Sequence, residues 1–463
     1  MQQFSCHSYP ASSTDETIVA VATPPGYGGI AIVRISGPKA IEVGDALFSG
    51  DVKSYPSHSV HYGTISDTHG RHIDQALLLL FRAPRSYTGA DTVELHCHGG
   101  PLLARRLVEL ALEAGARPAL PGEFSYLAFL HGKLDLAQAE AVQELISAQS
   151  DYALRAAQQQ LEGALSARIR QFQQQLAHAA AIFEAWVDFP EEGLEFASEE
   201  QMIEELDGQL LAMEQLLATF AQGKLWREGV RIALVGLPNA GKSSLLNALL
   251  QRERAIVSAI PGTTRDLIHE QLLIDGMALE LIDTAGLRDS QDLIEQEGVR
   301  RCRKAIDEAD LLLVVLDASS SELEEEQRLL AQLPLEKALL VWNKVDLAPP
   351  PSSSRGRGRL EVAISAKEGW HLCELKEALR EQITQGLVGS HQEVVITQLR
   401  HKEALERAIG YCRAARDGLL DGLSAELVAF EMRSSLTALG QIIGTDVTED
   451  LLSAIFSTFC VGK

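Results

Sequence analysis

The sequence predicts a multidomain protein of mixed α/β and α class, with a small N-terminal α+β domain, a discontinuous helical domain and an α/β domain inserted into the helical one. Three observations predict it. Up to about residue 130, short runs such as Ile30-Ala31-Ile32-Val33-Arg34-Ile35 and Ala76-Leu77-Leu78-Leu79-Leu80-Phe81 alternate with turn signals, as strands do. From Leu134 to about Gly223 the chain is rich in Ala, Leu, Gln and Glu and has no proline before Pro190. Val142, Leu145, Ile146 and Ala153 recur there at helical spacing. Helical patterning returns from about Thr397, with Leu427, Phe430, Leu436, Leu439 and Ile443 expected on core faces. That last stretch is too small to make a good core alone. Packed against the helices before residue 223, it gives domains at 1–130, 131–225, 226–384 and 385–463, the second and fourth forming one body.

The inserted segment opens on Gly236-Leu237-Pro238-Asn239-Ala240-Gly241-Lys242-Ser243-Ser244, whose Gly, Gly, Lys and Ser have the spacing of a phosphate-cradling loop. Glycines let the backbone turn its N–H groups toward a polyphosphate. Lys242 meets the terminal phosphates as a point charge, and the Ser243 hydroxyl can ligate Mg2+. The context fits, because Val230–Val235 reads as a buried strand and Ser244-Leu245-Leu246-Asn247-Ala248-Leu249-Leu250 as a helix pointing its N-terminus at the anion.

Three motifs farther along the chain select the nucleotide. Asp283-Thr284-Ala285-Gly286 ends a strand-like run, which puts a carboxylate where it can hold Mg2+ through water and a flexible N–H at Gly286 for the terminal phosphate. Asn343-Lys344-Val345-Asp346 comes directly after the strand Ala338–Trp342. The Asp346 carboxylate can accept two N–H bonds from the edge of guanine, a donor pair that adenine lacks. Ser365-Ala366-Lys367 offers a backbone N–H to the guanine carbonyl. In this order the motifs predict GTP, with GDP as product, and a Ras-like phosphate-loop GTPase domain.

Between the first two motifs lies Pro261-Gly262-Thr263-Thr264-Arg265-Asp266, a loop whose threonine can close on Mg2+ when the terminal phosphate is present. Leu287 stands where Ras-like proteins carry a water-orienting glutamine, so Glu295 is the local candidate for that role. Asn239 can be a turn residue after Pro238, or its amide oxygen can bind a monovalent cation that stands in for an arginine finger.

Composition bounds the remaining readings. With 41 Lys and Arg against 64 Asp and Glu, the net charge of -23 argues against a broad phosphate-binding surface, so nucleic acid must meet a local patch or a partner. Six scattered cysteines without C-x-x-C spacing fit a reducing compartment. The N-terminal residues lack a signal pattern, and no apolar run approaches the ~20 residues of a membrane span, so a soluble, cytoplasmic protein is expected. Ser352–Arg359 reads as a solvated loop, and His96 and His98 as packing or hydrogen-bonding residues rather than a zinc site. In Phe459-Cys460-Val461-Gly462-Lys463 a frayed tail is the default.

That stretch is also where the chain resembles the MnmE (TrmE) family of tRNA-modification GTPases, whose usual ending is Phe-Cys-Ile-Gly-Lys. The resemblance extends over nearly the whole chain through Ala22-Thr23-Pro24-Pro25-Gly26, Arg34-Ile35-Ser36-Gly37, Glu94-Leu95, His98-Gly99-Gly100-Pro101, Pro121-Gly122-Glu123-Phe124 and Gly132–Glu140. It implies a homodimer through N-terminal domains that bind a tetrahydrofolate one-carbon donor, 5,10-methylenetetrahydrofolate, with 5-formyltetrahydrofolate as an analogue. It also implies potassium-activated GTP hydrolysis, and work with the flavoprotein MnmG, in a heterotetramer, on C5 of the tRNA wobble uridine. By position, Arg34, Glu94, Lys133 and Lys463 match the family's folate-contacting residues. Asn239, Ser258, Ile260 and Thr263 match its potassium ligands, Ser243 and Thr264 its Mg2+ ligands, and Glu295 its water-orienting glutamate. Leu120, Leu127 and Ser125 depart from common Arg, Arg and Thr. Cys460 is either a nucleophile toward uracil C6 or a buried structural thiol. A second functional class is a regulatory switch in ribosome assembly whose N-terminal half is only a dock.

Overall fold

The computed structural model describes residues 14–188, 198–252, 269–274, 276–283, 303–320, 323–350, 360–384 and 394–463. Two compact units divide the chain. One comprises the residues up to Ile146 with Gln160–Met213 and Glu403–Lys463, and the other Ser147–Gln159 with Glu214–Lys402.

The first unit begins with β1 (Ile18–Val21), β2 (Ile30–Ser36), β3 (Ser59–Ser66), β4 (His72–Phe81), β5 (Thr92–His98) and β6 (Arg117–Pro118), in the order β3-β4-β5-β2-β1-β6. All pairings are antiparallel except β1 with β6. Because side chains alternate across a strand, Val33, Ile35, Leu78, Leu80, Val93, Leu95 and Cys97 form one core face, shared with residues of the helices Ala40–Leu47 and Pro101–Glu113. Arg34 and Glu94 occupy the opposite face, directly across from each other in the β2–β5 register.

The rest of this unit is helical. Ala425–Ile443 packs along Ala164–Asp188, and an Arg433–Glu184 ion pair of 2.7 Å lies between them. The chain segments before and after the insertion therefore do share one unit, as the discontinuous helical domain requires. Leu439 and Ile443 are buried as expected and Leu436 is half-buried, but the faces expected for Leu427 and Phe430 need correction. Val428, Met432, Ser435, Leu439 and Ile442 form the buried stripe, while Leu427 and Phe430 are exposed, at 52% and 57%. The run Leu427-Val428-Ala429-Phe430 offers two adjacent apolar stripes, and the one continuing through Met432 and Leu439 has the longer heptad-like match. Ile146 is likewise exposed, because the helix Leu136–Ser147 turns Leu136, Ala139, Val142 and the carboxylate-bearing Glu140 and Glu144 inward instead.

The second unit contains β7 (Val230–Val235), β8 (His269–Ile274), β9 (Met277–Asp283), β10 (Leu311–Asp317), β11 (Ala338–Asn343) and β12 (Glu361–Ala363), ordered β12-β11-β10-β7-β9-β8. Only β8 runs antiparallel to its neighbour. The central strands are continuous apolar runs because both sheet faces are covered. Ile232, Leu234, Leu313, Val315, Leu339 and Val341 pack toward the helices Lys242–Arg252 and Leu372–Thr384. Ala233, Val235, Leu312, Val314, Leu316 and Trp342 face the other side, where Leu329 and Leu330 of the helix Leu323–Ala331 meet them. The carboxyl ends of β7, β9, β10 and β11 thus lie along one edge, where ligands bind in open parallel sheets.

Candidate functional site

At that edge, Gly236–Gly241 links β7 to the helix Lys242–Arg252. Asn239 adopts a left-handed φ of 62°, and Gly241 has φ 96°. A side chain at Gly241 would be strained by that φ and would run into the Asn343 amide, so glycine is required on two counts. The Lys242 ammonium is drawn back over the loop, donating to the carbonyls of Gly236 at 2.8 Å and Leu237 at 2.9 Å. Ala240 and Lys242 are buried, whereas Ser243 and Ser244 are exposed in the first helical turn. Backbone N–H groups, a helix N-terminus and an ammonium group thus converge, a combination suited to a polyphosphate.

Asn343, at the end of β11, joins the loop to the Ser365–Lys367 segment. Its Nδ2 donates to Ala240 O at 2.9 Å, and its Oδ1 accepts from Ala366 N at 3.0 Å. One amide therefore ties together three of the four sequence motifs, its own among them, a role that their spacing alone did not assign. Asp346 is half-buried two residues beyond Lys344, Ser365 is fully buried and Lys367 is exposed. Asp283 ends β9 in parallel register with β7, where its motif requires it. Ser258, Ile260, Thr263, Thr264, Thr284, Ala285, Gly286, Leu287 and Glu295 lie outside the described residues, as does Ser352–Arg359.

The first unit holds a second constellation. Arg34 Nε donates to Glu94 Oε1 at 2.8 Å, and Arg34 Nη1 donates to Gly462 O at 3.2 Å, reaching across 428 positions of chain. The guanidinium also lies over the rings of Phe124, at 5.6 Å, and Tyr87, at 5.9 Å. Tyr87 is fixed by a 2.8 Å hydrogen bond between its hydroxyl and that of the buried Ser125. The serine that departs from the family's threonine thus still supplies a hydroxyl. Leu127 is core, beside Ile18, Ala20 and Phe124, and Leu120 packs near Phe456.

The tail is docked rather than frayed. Phe459 is buried against Phe456, Gly122 N donates to Cys460 O at 3.3 Å, and Gly462, at φ 98°, sits so close to Val21 O that a side chain would collide with it. Cys460 itself is exposed, which excludes the buried structural thiol. Burial alone would raise the Glu94 carboxyl, but Arg34 and His96 outweigh it and hold Glu94 below the usual range. Burial, reinforced by the charge of Arg34, pushes the Lys463 ammonium below an ordinary lysine. Arg34 and Lys463 thus place two cations beside the Glu94 carboxylate. Lys133 Nζ donates to Pro84 O at 3.2 Å, on the loop that carries Tyr87, so it approaches this cluster through the loop rather than through Arg34. His96 Nε2 lies 3.2 Å from the second oxygen of Glu94, and His98 Nδ1 lies 2.8 Å from Asp74 Oδ1.

Known proteins resemble the chain over nearly its full length. The family model described as "GTP-binding protein TrmE N-terminus" matches residues 17–133, and the one described as "MnmE helical domain" matches residues 136–460. A protein of Protochlamydia amoebophila (strain UWE25) named "tRNA modification GTPase MnmE" is 51% identical over 452 residues, covering 97% of this chain and 98% of its own. Its namesake in Chlamydia felis (strain Fe/C-56) is 45% identical, covering 97% and 99%. Among solved structures, the G domain of the T. maritima FeoB iron transporter is 29% identical over 33% of this chain and 98% of its own, with a TM-score of 0.27.

Proposed function

The chain belongs to the MnmE family of tRNA modification GTPases, and on that footing we propose that it couples Mg2+- and K+-dependent GTP hydrolysis to a folate-dependent step at C5 of the tRNA wobble uridine. The protein acts as a homodimer together with the flavoprotein MnmG, and the one-carbon unit comes from 5,10-methylenetetrahydrofolate. The domain limits proposed are 1–130, 131–225, 226–384 and 385–463.

The single observation that carries the folate reading is the Arg34–Glu94 pair closed by the Gly462 carbonyl. A module used only for docking, as in a ribosome-assembly switch, has no need of a half-buried Arg–Glu pair held under a docked tail. Arg34, Lys133 and Lys463 supply cations for a carboxylate-bearing ligand, and Glu94 an acceptor for the N–H edge of a pterin ring.

In the GTPase domain, Lys242 would leave the Gly236 and Leu237 carbonyls for the terminal phosphates, an exchange of neutral acceptors for anionic ones. Asn343 holds the phosphate loop and the Ser365–Lys367 segment together, so that base and phosphates are read by one rigid frame. Ser243 and Thr264 would hold Mg2+, while Asn239, Ser258, Ile260 and Thr263 would hold K+. The exposed Ser243 hydroxyl and the left-handed Asn239 at the crest of the loop fit those roles. Both ions supply positive charge where negative charge develops during hydrolysis. Glu295 orients the attacking water.

Nucleoside analysis of tRNA tests the proposal. A strain lacking this protein should lose the aminomethyl-type group on the wobble uridine and regain it on complementation. Unchanged wobble uridines would contradict the proposal.

A further inference from the structure

Asp317 ends β10 directly opposite Asn343 in the parallel β10–β11 register. Its Oδ2 lies 2.5 Å from Lys344 Nζ. Its Oδ1 accepts from both the backbone N–H and the hydroxyl of Ser319, at 2.9 and 2.7 Å, and its own N–H donates to the buried carboxylate of Glu326 at 3.1 Å. Burial would raise this carboxyl, but Lys344 and Ser319 together hold it below its usual range, so it is ionised at neutral pH. The next residue is tied in as well, because Ala318 N donates to Asn343 O at 2.9 Å.

Lys344, in turn, has a φ of 65°, a left-handed conformation that residues with side chains rarely adopt. It opens the turn carrying Asp346. Leu347 N donates to Lys344 O at 2.9 Å, and Val345 N donates to Ile364 O at 3.2 Å. An ordinary strand-end aspartate would cap its own loop and stop there. Asp317 instead commits one oxygen to its own loop, through Ser319, and the other to the strained residue between Asn343 and Asp346.

We propose that Asp317 is a positioning residue for guanine recognition: by anchoring Lys344 it fixes the turn that presents Asp346 to the base. This rests on the reading of Asn343–Asp346 as the guanine-binding segment. Asp317 touches no nucleotide itself and acts through Lys344.

The test is a double-mutant cycle on GDP affinity in the full chain, using Asp317→Ala, Lys344→Met and the double variant. Each single change should weaken GDP about tenfold, and the double should weaken it no more than the stronger single. Asp317→Asn, which keeps the shape and an acceptor oxygen, should recover part of the loss and guards against a misfolded alanine variant. A purely structural role would lower the melting temperature and weaken GDP in Asp317→Asn and Asp317→Ala alike, with no coupling to Lys344. Additive losses approaching a hundredfold in the double variant, or wild-type affinity in Asp317→Ala, would overturn the proposal. Failure of the wild-type chain to prefer GDP over ADP and xanthosine diphosphate would overturn the underlying guanine reading instead.

Discussion

The phosphate loop and the tail cluster each include a lysine, and they are built in opposite ways. Lys242 is held by the carbonyls of residues five and six positions before it, inside one turn between a strand and a helix. Lys463 is half-buried near the charges of Arg34 and Glu94, which come from the other end of the sequence and are joined to the tail through the Gly462 carbonyl. A site of the first kind forms wherever its few residues fold. One of the second kind exists only when the sheet, the Glu123–Leu130 helix and the tail are all in place, so any ligand bound there would depend on the integrity of all three.

The contrast predicts separable lesions. The largest effect should come from Glu295→Ala, which is expected to reduce GTP hydrolysis about a thousandfold while leaving nucleotide affinity nearly unchanged. Steady-state turnover set beside a GDP titration checks it, and an equal loss of both would remove its role in orienting water. Next comes Asn343→Ala, which leaves Ala240 O and Ala366 N without their amide partner in a buried setting. Two such losses correspond to a weakening of guanine nucleotide binding on the order of a hundredfold, with folate binding untouched. Parallel titrations of the two ligands would show whether the sites are independent.

Gly462→Ala attacks the other site. Its φ of 98° and the nearness of Val21 O oppose any side chain there, so the tail should lift and folate affinity should fall about tenfold, with GDP binding preserved. Loss of GDP affinity in the same variant would mean that the two sites are not separable.

The smallest effect is one of pH. Because burial and Arg34 lower the Lys463 pKa, this lysine sheds its proton at a lower pH than an exposed one as pH rises, and a carboxylate it holds is then released. Folate affinity should weaken about fivefold through that range, while Lys463→Arg, which keeps its charge, should bind with a flatter pH profile. Identical profiles for the two proteins would show that Lys463 does not carry the ligand's charge.

The same contrast explains what was legible in the sequence. The strand before Gly236, the helix after Ser243 and the order of Asp283, Asn343 and Ser365 could be read directly, because each motif is local and its chemistry fixes its spacing. Arg34, Glu94 and Lys463 could be singled out only through family resemblance, since nothing in a linear pattern says that a carbonyl at 462 meets a guanidinium at 34. The contacts of Tyr87, Ser125 and Asp317 cannot be read from the sequence for the same reason. Their partners are set by strand register and helix packing, and no short motif marks them. The exposure of Leu427 and Phe430 is not legible in the sequence, because apolar periodicity shows that a helix has a buried stripe without saying which of two neighbouring stripes its partner covers.

The most direct measurement is a calorimetric titration of 5-formyltetrahydrofolate into the full chain and its Arg34→Ala variant, with GDP as a control ligand. Saturable folate binding by the unaltered chain, lost in Arg34→Ala while GDP binds both alike, is the expected result. Absence of folate binding in the unaltered chain, or equal binding by the two, would contradict a folate site built on Arg34 and closed by the tail.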